Sequence, residues 1–151
     1  MQFTPSKINW FLMAKLPSAY LAGVRVKSVD DSIVVVRVKH KWMNQNPFKS
    51  MYWAVQGMAS ELTTGMLVMR AIAVSGKRIS MLVTGQNGAF YKKATGVILF
   101  DCQDADAINQ AIAATIKSGE GQKISLTSKG VNETGEVVSE FTYEWSIKLK
   151  Q

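Results

Sequence analysis

From Ser32 to Trp42 the chain alternates: Val34, Val36, Val38, His40 and Trp42 point one way, Arg37, Lys39 and Lys41 the other. A period of two marks a strand with one face in a core and the other, here basic, toward water or a ligand. Gly23 to Val29 alternates more weakly through Val24 and Val26, and Asp30-Asp31 supplies the turn, so the two segments predict a hairpin. Ahead of them, Pro5 to Tyr20 reads as helical. Ser6 can cap it, Ile8, Phe11, Leu12 and Leu16 form a stripe, and Pro17 stops it.

The stretch from about Ser50 to Val74 contains no proline, is rich in Met, Ala and Leu, and is far too long for a strand. At about 3.6 residues per turn it predicts a helix of roughly six turns. Its apolar residues run almost all the way round, so a sheet or another subunit has to wrap it. After Ser75-Gly76 the period of two returns, with Ile79, Met81 and Val83 opposing Ser80, Leu82 and Thr84. Gln86-Asn87-Gly88 predicts a bend, and Phe90 to Cys102 a further strand. Asp104 to Lys117 predicts a shorter helix with Ala105, Ile108, Ile112 and Ile116 on one side and Gly119 ending it. Lys123–Lys129 and Gly135–Leu149 close the chain as two strands joined around Gly130-Val131-Asn132. Short connections favour antiparallel pairing. An antiparallel sheet folded round one long central helix is an α+β arrangement. With 151 residues, no repeat and no linker, residues 1–151 read as a single domain.

Composition narrows the function classes. Hydrophobic residues at 47% exclude a disordered chain. One cysteine, Cys102, excludes a disulfide framework and a Cys-cluster zinc site, and suits a reducing compartment. One histidine, His40, cannot build a His-based metal centre. The most apolar stretch, Val55 to Val74, is broken by Gln56, Ser60, Glu61, Thr63, Thr64 and Arg70. It therefore lacks the roughly 20 apolar residues of a membrane span. The N-terminal apolar group Trp10 to Met13 has no cleavage site after it, so no signal peptide is expected and the expected address is cytoplasmic.

Net charge is +7, from 18 Lys plus Arg against 11 Asp plus Glu. A basic balance suits nucleic acid, an anionic surface or a phosphorylated ligand. The cations stand singly or in pairs (Lys77-Arg78, Lys92-Lys93) and form no block, and no nucleic-acid motif is present. A ligand carrying several phosphates fits this charge at least as well.

On the long helix, Ala54, Gly57, Met58, Glu61, Gly65 and Val68 share one side at spacings of three and four. Glu61 is the only charge there, with a glycine four residues to either side. A buried, unpaired carboxylate is costly, and desolvation raises its pKa toward the range of a general base. The alternative is a Glu61 that faces solvent or pairs with a neighbouring cation. Asn46-Pro47-Phe48-Lys49-Ser50 leads into the helix, with Ser50 as candidate N-cap. Free N–H groups at a helix start favour negative charge, including the oxyanion formed when a carbonyl is attacked, though a capped start with no ligand is the plainer reading. Gln56 can orient a water or serve as a structural hydrogen-bonder. Cys102 and His40 read as buried, the histidine hydrogen-bonded, and Asp101, Asp104 and Asp106 as caps of the second helix.

Residues Asn46 to Gly65, with Gln56, an alanine-containing turn, Glu61 and Gly65 four residues later, resemble the loop and central helix of hotdog-fold acyl-CoA thioesterases. The closest likeness is to the phenylacetyl-CoA-thioesterase-like branch and its domains of unknown function. The resemblance implies a hotdog fold and hydrolysis of a thioester. Backbone N–H groups near Tyr52 to Ala54 would hold the carbonyl, with Glu61 as general base or nucleophile and Asn46 and Gln56 holding water or the carbonyl oxygen. Met51, Tyr52, Trp53 and Met58 would line an acyl pocket, Gly65 would allow close approach, and Lys92 and Lys93 would meet the CoA phosphates. It also implies no cofactor beyond the CoA of the substrate, and a homodimer, with a tetramer as the larger alternative. Where the family often carries a glycine pair at the helix start, this chain has Lys49-Ser50 and Tyr52-Trp53-Ala54. That departure favours a second reading, a hotdog protein that binds acyl-CoA or a fatty acyl group without hydrolysing it.

Overall fold

The computed structural model describes residues 2–151. Two short helices, α1 (Pro5–Lys15) and α2 (Pro17–Leu21), precede the hairpin β1 (Arg25–Val29) and β2 (Val34–Lys39). A 3₁₀ turn (Trp42–Asn44) and a loop lead into the long helix α3 (Trp53–Ser75). Then come β3 (Ile79–Phe90), β4 (Val97–Cys102), α4 (Ala105–Ser118), β5 (Gln122–Val131) and β6 (Val137–Leu149). The strands form one six-stranded sheet in the order β1-β2-β4-β5-β6-β3, every pair antiparallel. α3 lies across β2, β4, β5 and β6, and α4 packs beside it. The expected α+β architecture is what the chain adopts.

The alternation on β6 explains the core. Phe141, Tyr143, Trp145 and Ile147 are all buried, and they meet Ala59, Leu62 and Met66 of α3 in one cluster that also holds Phe100 and Leu126. Since successive strand side chains point to opposite faces, this set turns toward the helix while Glu144 and Lys148 turn away.

Several local expectations change. The N-terminal helix breaks at Leu16 because Pro17 has no N–H to continue it and instead takes the first turn of α2. Thr4, not Ser6, caps α1, its hydroxyl accepting from Lys7 N–H. β2 ends at Lys39, and Trp42, expected inside, is 81% exposed. Asn44 turns the chain there: its oxygen accepts from Lys41 N–H, and its amide donates to the Ala22 and Lys39 carbonyls. His40 is half-buried and its Nε2 has no hydrogen-bond partner, contrary to expectation.

No bend occurs at Gln86-Asn87-Gly88. β3 runs straight through, pairing Gln86 with Tyr143 and Gly88 with Phe141, and the irregularity falls at Val83/Gly85. Gly88 is needed for closeness, since a Cβ there would lie 3.0 Å from the Phe141 ring. Residues 91–96 are loop, so the following strand starts at Val97 rather than Phe90. Gly130 lies inside β5, where a Cβ would fall 2.5 Å from Phe100, and the turn comes later, at Asn132 to Gly135. Asp104 stands at the start of α4, yet its carboxylate accepts from Thr127 N–H on β5 instead of capping.

Candidate active site

A groove of about 530 Å³ opens at the start of α3, between the loop ahead of it and the segment that leaves β3. It brings together Asn46, Met51, Tyr52, Trp53, Gln56, Lys92 and Lys93 from widely separated parts of the chain. Phe48, Phe90 and Tyr91 complete its wall. None of these three is expected from the sequence, although the aromatic pair Phe90-Tyr91 directly before Lys92-Lys93 is a signal for two of them. Ala54, Met58, Glu61 and Gly65 do not line the groove.

The loop takes its shape from Asn46. Its side-chain oxygen accepts from the N–H groups of Phe48 (2.9 Å) and Ser50 (3.2 Å), and its amide donates to the Ser50 hydroxyl. Lys49 completes the turn in the left-handed region, at φ 59°. Asn46 therefore closes the loop, and Ser50 is its buried partner rather than the cap of α3. The cap position is Tyr52, which contributes no side-chain bond. Tyr52 N–H donates to the Asn44 carbonyl at 2.8 Å and so is not available to a ligand. The N–H groups of Trp53 and Ala54 have no acceptor among the described residues. They are the orphan donors of the helix start.

Gln56 is 4% exposed. Its amide nitrogen donates to the Met51 carbonyl at 3.4 Å, which orients the side chain, and its oxygen is buried without a partner. A buried unpaired acceptor in a groove wall costs on the order of 1–3 kcal/mol unless a ligand or water donates to it. At the rim, Lys92 pairs with Glu136, and Lys93 donates to the Phe48 carbonyl at 3.3 Å.

Glu61 is five residues beyond Gln56, about 140° further round the helix. It shares the face of Gly57 and Gly65, over Tyr143 and Trp145 of β6. The carboxylate is half-buried, and burial is the cause that lifts its pKa above the ordinary carboxylate value. Among the described residues it makes no ion pair. A carboxyl raised in the folded state stabilises the fold fully only below its unfolded pKa, and that contribution is lost as pH rises through the folded value. Glu61→Gln is therefore expected to raise Tm at neutral pH, with the gain shrinking toward zero near pH 4 in paired melts. Cys102 is buried, with its thiol pushed up to about 12 by that burial, and is no nucleophile.

Among the described residues no helix is long and apolar enough to cross a membrane, and no group of His, Cys, Asp and Glu could hold a metal ion.

An antiparallel sheet wrapped on one long central helix defines the hotdog fold, and solved structures share it along nearly the whole chain. A Pseudomonas aeruginosa protein of unknown function, described as a probable thioesterase, is 23% identical, with a TM-score of 0.82 over 97% of each chain. A Chlorobaculum tepidum protein of unknown function is 16% identical, with a TM-score of 0.82 over 97% of this chain and 98% of its own. A Haemophilus influenzae thioesterase is 10% identical, with a TM-score of 0.74 over 99% of this chain and 93% of its own. The chain belongs to the family described as "Domain of unknown function (DUF4442)", whose model matches residues 5–147. None of the curated proteins matches it.

Proposed function

We propose that this protein hydrolyses an acyl-CoA thioester, as a homodimer whose groove is completed by the partner. The observation that carries the proposal is the buried, unpartnered oxygen of Gln56 in an aromatic groove beside the free N–H groups of Trp53 and Ala54. That arrangement offers an acceptor for a water proton and two donors for a carbonyl oxygen, which are the needs of acyl transfer to water. The acyl group lies against Met51, Tyr52, Trp53 and Phe90. Water attacks the carbonyl carbon and gives its proton to a carboxylate; the tetrahedral oxyanion collapses, the C–S bond breaks, and the thiolate takes a proton as it leaves. Glu61 is the carboxylate, as general base, its basicity raised above that of an ordinary carboxylate by burial. Direct attack by Glu61 is the other route.

Because Glu61 and the groove occupy different faces of α3, the two are assigned to different chains of a dimer. Two features support that assembly. β3 is an outer strand of the sheet, twelve residues long, with one edge unpaired among the described residues and with Leu82 66% exposed. A long strand edge with free N–H and C=O groups is a template for pairing with another chain. A second hollow of about 300 Å³, lined by Trp53, Gln86, Gly88, Phe90 and Phe141, lies on the β3 side and adjoins the groove through Trp53 and Phe90. A tetramer is the larger alternative.

Lys93, with Lys92 once it exchanges Glu136 for a phosphate, is assigned to the nucleotide end of CoA. The test is a panel of acyl-CoA substrates assayed for free thiol, with CoA affinity followed against salt. Thiol release by the wild type is expected. Affinity should fall severalfold between about 0.1 M and 1 M salt, as the screening length drops from about 10 to 3 Å. No release from any substrate and a salt-independent affinity would contradict the proposal. The second reading, acyl-CoA binding without hydrolysis, is favoured by Tyr52 and the 50% exposed Trp53, whose rings stand edge to face at the helix start. The same panel decides it, by binding without thiol release.

A further inference from the structure

Two hydrogen-bond paths from β6 end on the peptide groups that hold Glu61 in α3. In the first, the Tyr143 hydroxyl donates to the Gly57 carbonyl at 3.0 Å and lies 2.7 Å from the Ser60 hydroxyl. In an α-helix that carbonyl is the acceptor of the Glu61 N–H. In the second, Trp145 Nε1 donates to Thr64 Oγ1 at 2.9 Å, and Thr64 Oγ1 donates to the Glu61 carbonyl at 2.9 Å. The N–H side and the C=O side of one residue are thus each tied to a buried strand side chain. That residue carries the one charged side chain on its helix face.

Of the glycines beside Glu61, Gly65 fits this arrangement. A Cβ on Gly65 would sit 3.3 Å from the Trp145 ring and 3.4 Å from Glu61 Oε1, so the indole and the carboxylate share the space that glycine leaves. A Cβ on Gly57 would stand 4.0 Å from the Tyr143 hydroxyl, an ordinary contact, so the first path does not depend on that glycine. Satisfying buried polar groups would require only that Tyr143 and Trp145 find some partner. It does not require that both lead to the same residue.

We infer that Tyr143 and the Trp145–Thr64 pair are positioning residues, which brace the Glu61 turn of α3 from both sides and hold its carboxylate in a fixed, desolvated place. The inference rests on the hydrolase reading for its purpose, and on the hydrogen bonds alone for its geometry. Tyr143 is the titratable group that feels the Glu61 charge; burial first, with that charge adding, pushes its phenol up to about 12, so it remains a neutral donor. Among the described residues no cation pairs with Glu61.

The experiment compares Tyr143→Phe, Thr64→Val and Thr64→Ser in the full-length protein. Steady-state kinetics are read beside an NMR titration of the Glu61 carboxyl. Phe and Val remove one hydroxyl each at nearly constant shape, whereas Ser keeps the relay. With the braces gone, the turn loosens toward water and the Glu61 pKa falls toward the ordinary carboxylate value in the Phe and Val variants, while Ser restores it. A misplaced catalytic group costs rate and spares binding, so kcat is expected to drop about tenfold at unchanged KM in those two variants. A Glu61 titration identical to wild type in both variants overturns the bracing, whatever the rates do. Absence of turnover in the wild type would instead overturn the hydrolase reading and leave the titration to decide the geometry.

Discussion

Glu61→Gln is expected to lower kcat for acyl-CoA hydrolysis by about 10²- to 10⁴-fold, the range that a positioned acid–base group contributes. The substitution keeps shape and hydrogen-bonding reach and removes only the ability to take a proton or attack a carbonyl. The fold has no reason to fail. The wild-type carboxylate has no ion pair among the described residues to lose, and its burial already disfavours the charged form. A variant that melts at or above the wild-type temperature near neutral pH, yet releases no thiol, therefore separates catalysis from stability. Thiol release at the wild-type rate would remove Glu61 from the mechanism.

The second large effect is on stability. Phe141 is 1% exposed and stacks on Tyr143, with ring centroids 6.1 Å apart and planes 8° apart. Its edges meet Phe90 and Phe100. Phe141→Ala removes a ring from the middle of that group, under the hollow beside the groove. Truncating a buried Phe costs about 3–5 kcal/mol, because the lost transfer energy and the cavity add. For a domain of this size that lowers Tm by roughly 10 °C. Thermal or urea melts check it, and a shift of only a degree or two would mean that the face carrying Tyr143 and Trp145 is less tightly packed than described.

Much of the architecture was legible because its signals are long. α3 runs for 23 residues with no proline, and β6 alternates from Val137 to Leu149, so length and period agree over each element. The misread positions are glycines placed for closeness instead of turning. Gly88 and Gly130 both lie inside strands, under the rings of Phe141 and Phe100. No local pattern distinguishes a glycine that makes room for a ring from one that makes a turn, since the ring comes from a strand distant in sequence. Ser50 and Asp104 failed as caps for a similar reason: each has a better partner elsewhere, Asn46 within the loop and Thr127 across the fold.

The site was legible in one part and not in the other. The loop and the first turns of α3 are contiguous, so Met51, Tyr52, Trp53 and Gln56 follow from sequence once the helix start is placed. Lys92 and Lys93 reach them only through the tertiary fold. The angular separation of Gln56 from Glu61 follows from the helical repeat, and it divides the proposed machinery between two chains. The pairing of Tyr143 with Gly57 and of Trp145 with Thr64 spans more than eighty residues and leaves no trace in the sequence.

The central claim is that the groove of one chain and the Glu61 of another meet at the same thioester. The most direct measurement is a crystal structure with a non-hydrolysable acyl-CoA analogue bound. The account predicts its carbonyl oxygen at the N–H groups of Trp53 and Ala54, a donor or water at Gln56 Oε1, and the carboxylate of a second copy's glutamate facing the carbonyl carbon. An analogue bound elsewhere, or bound in this groove with both copies' Glu61 carboxylates turned away from it, would contradict the account.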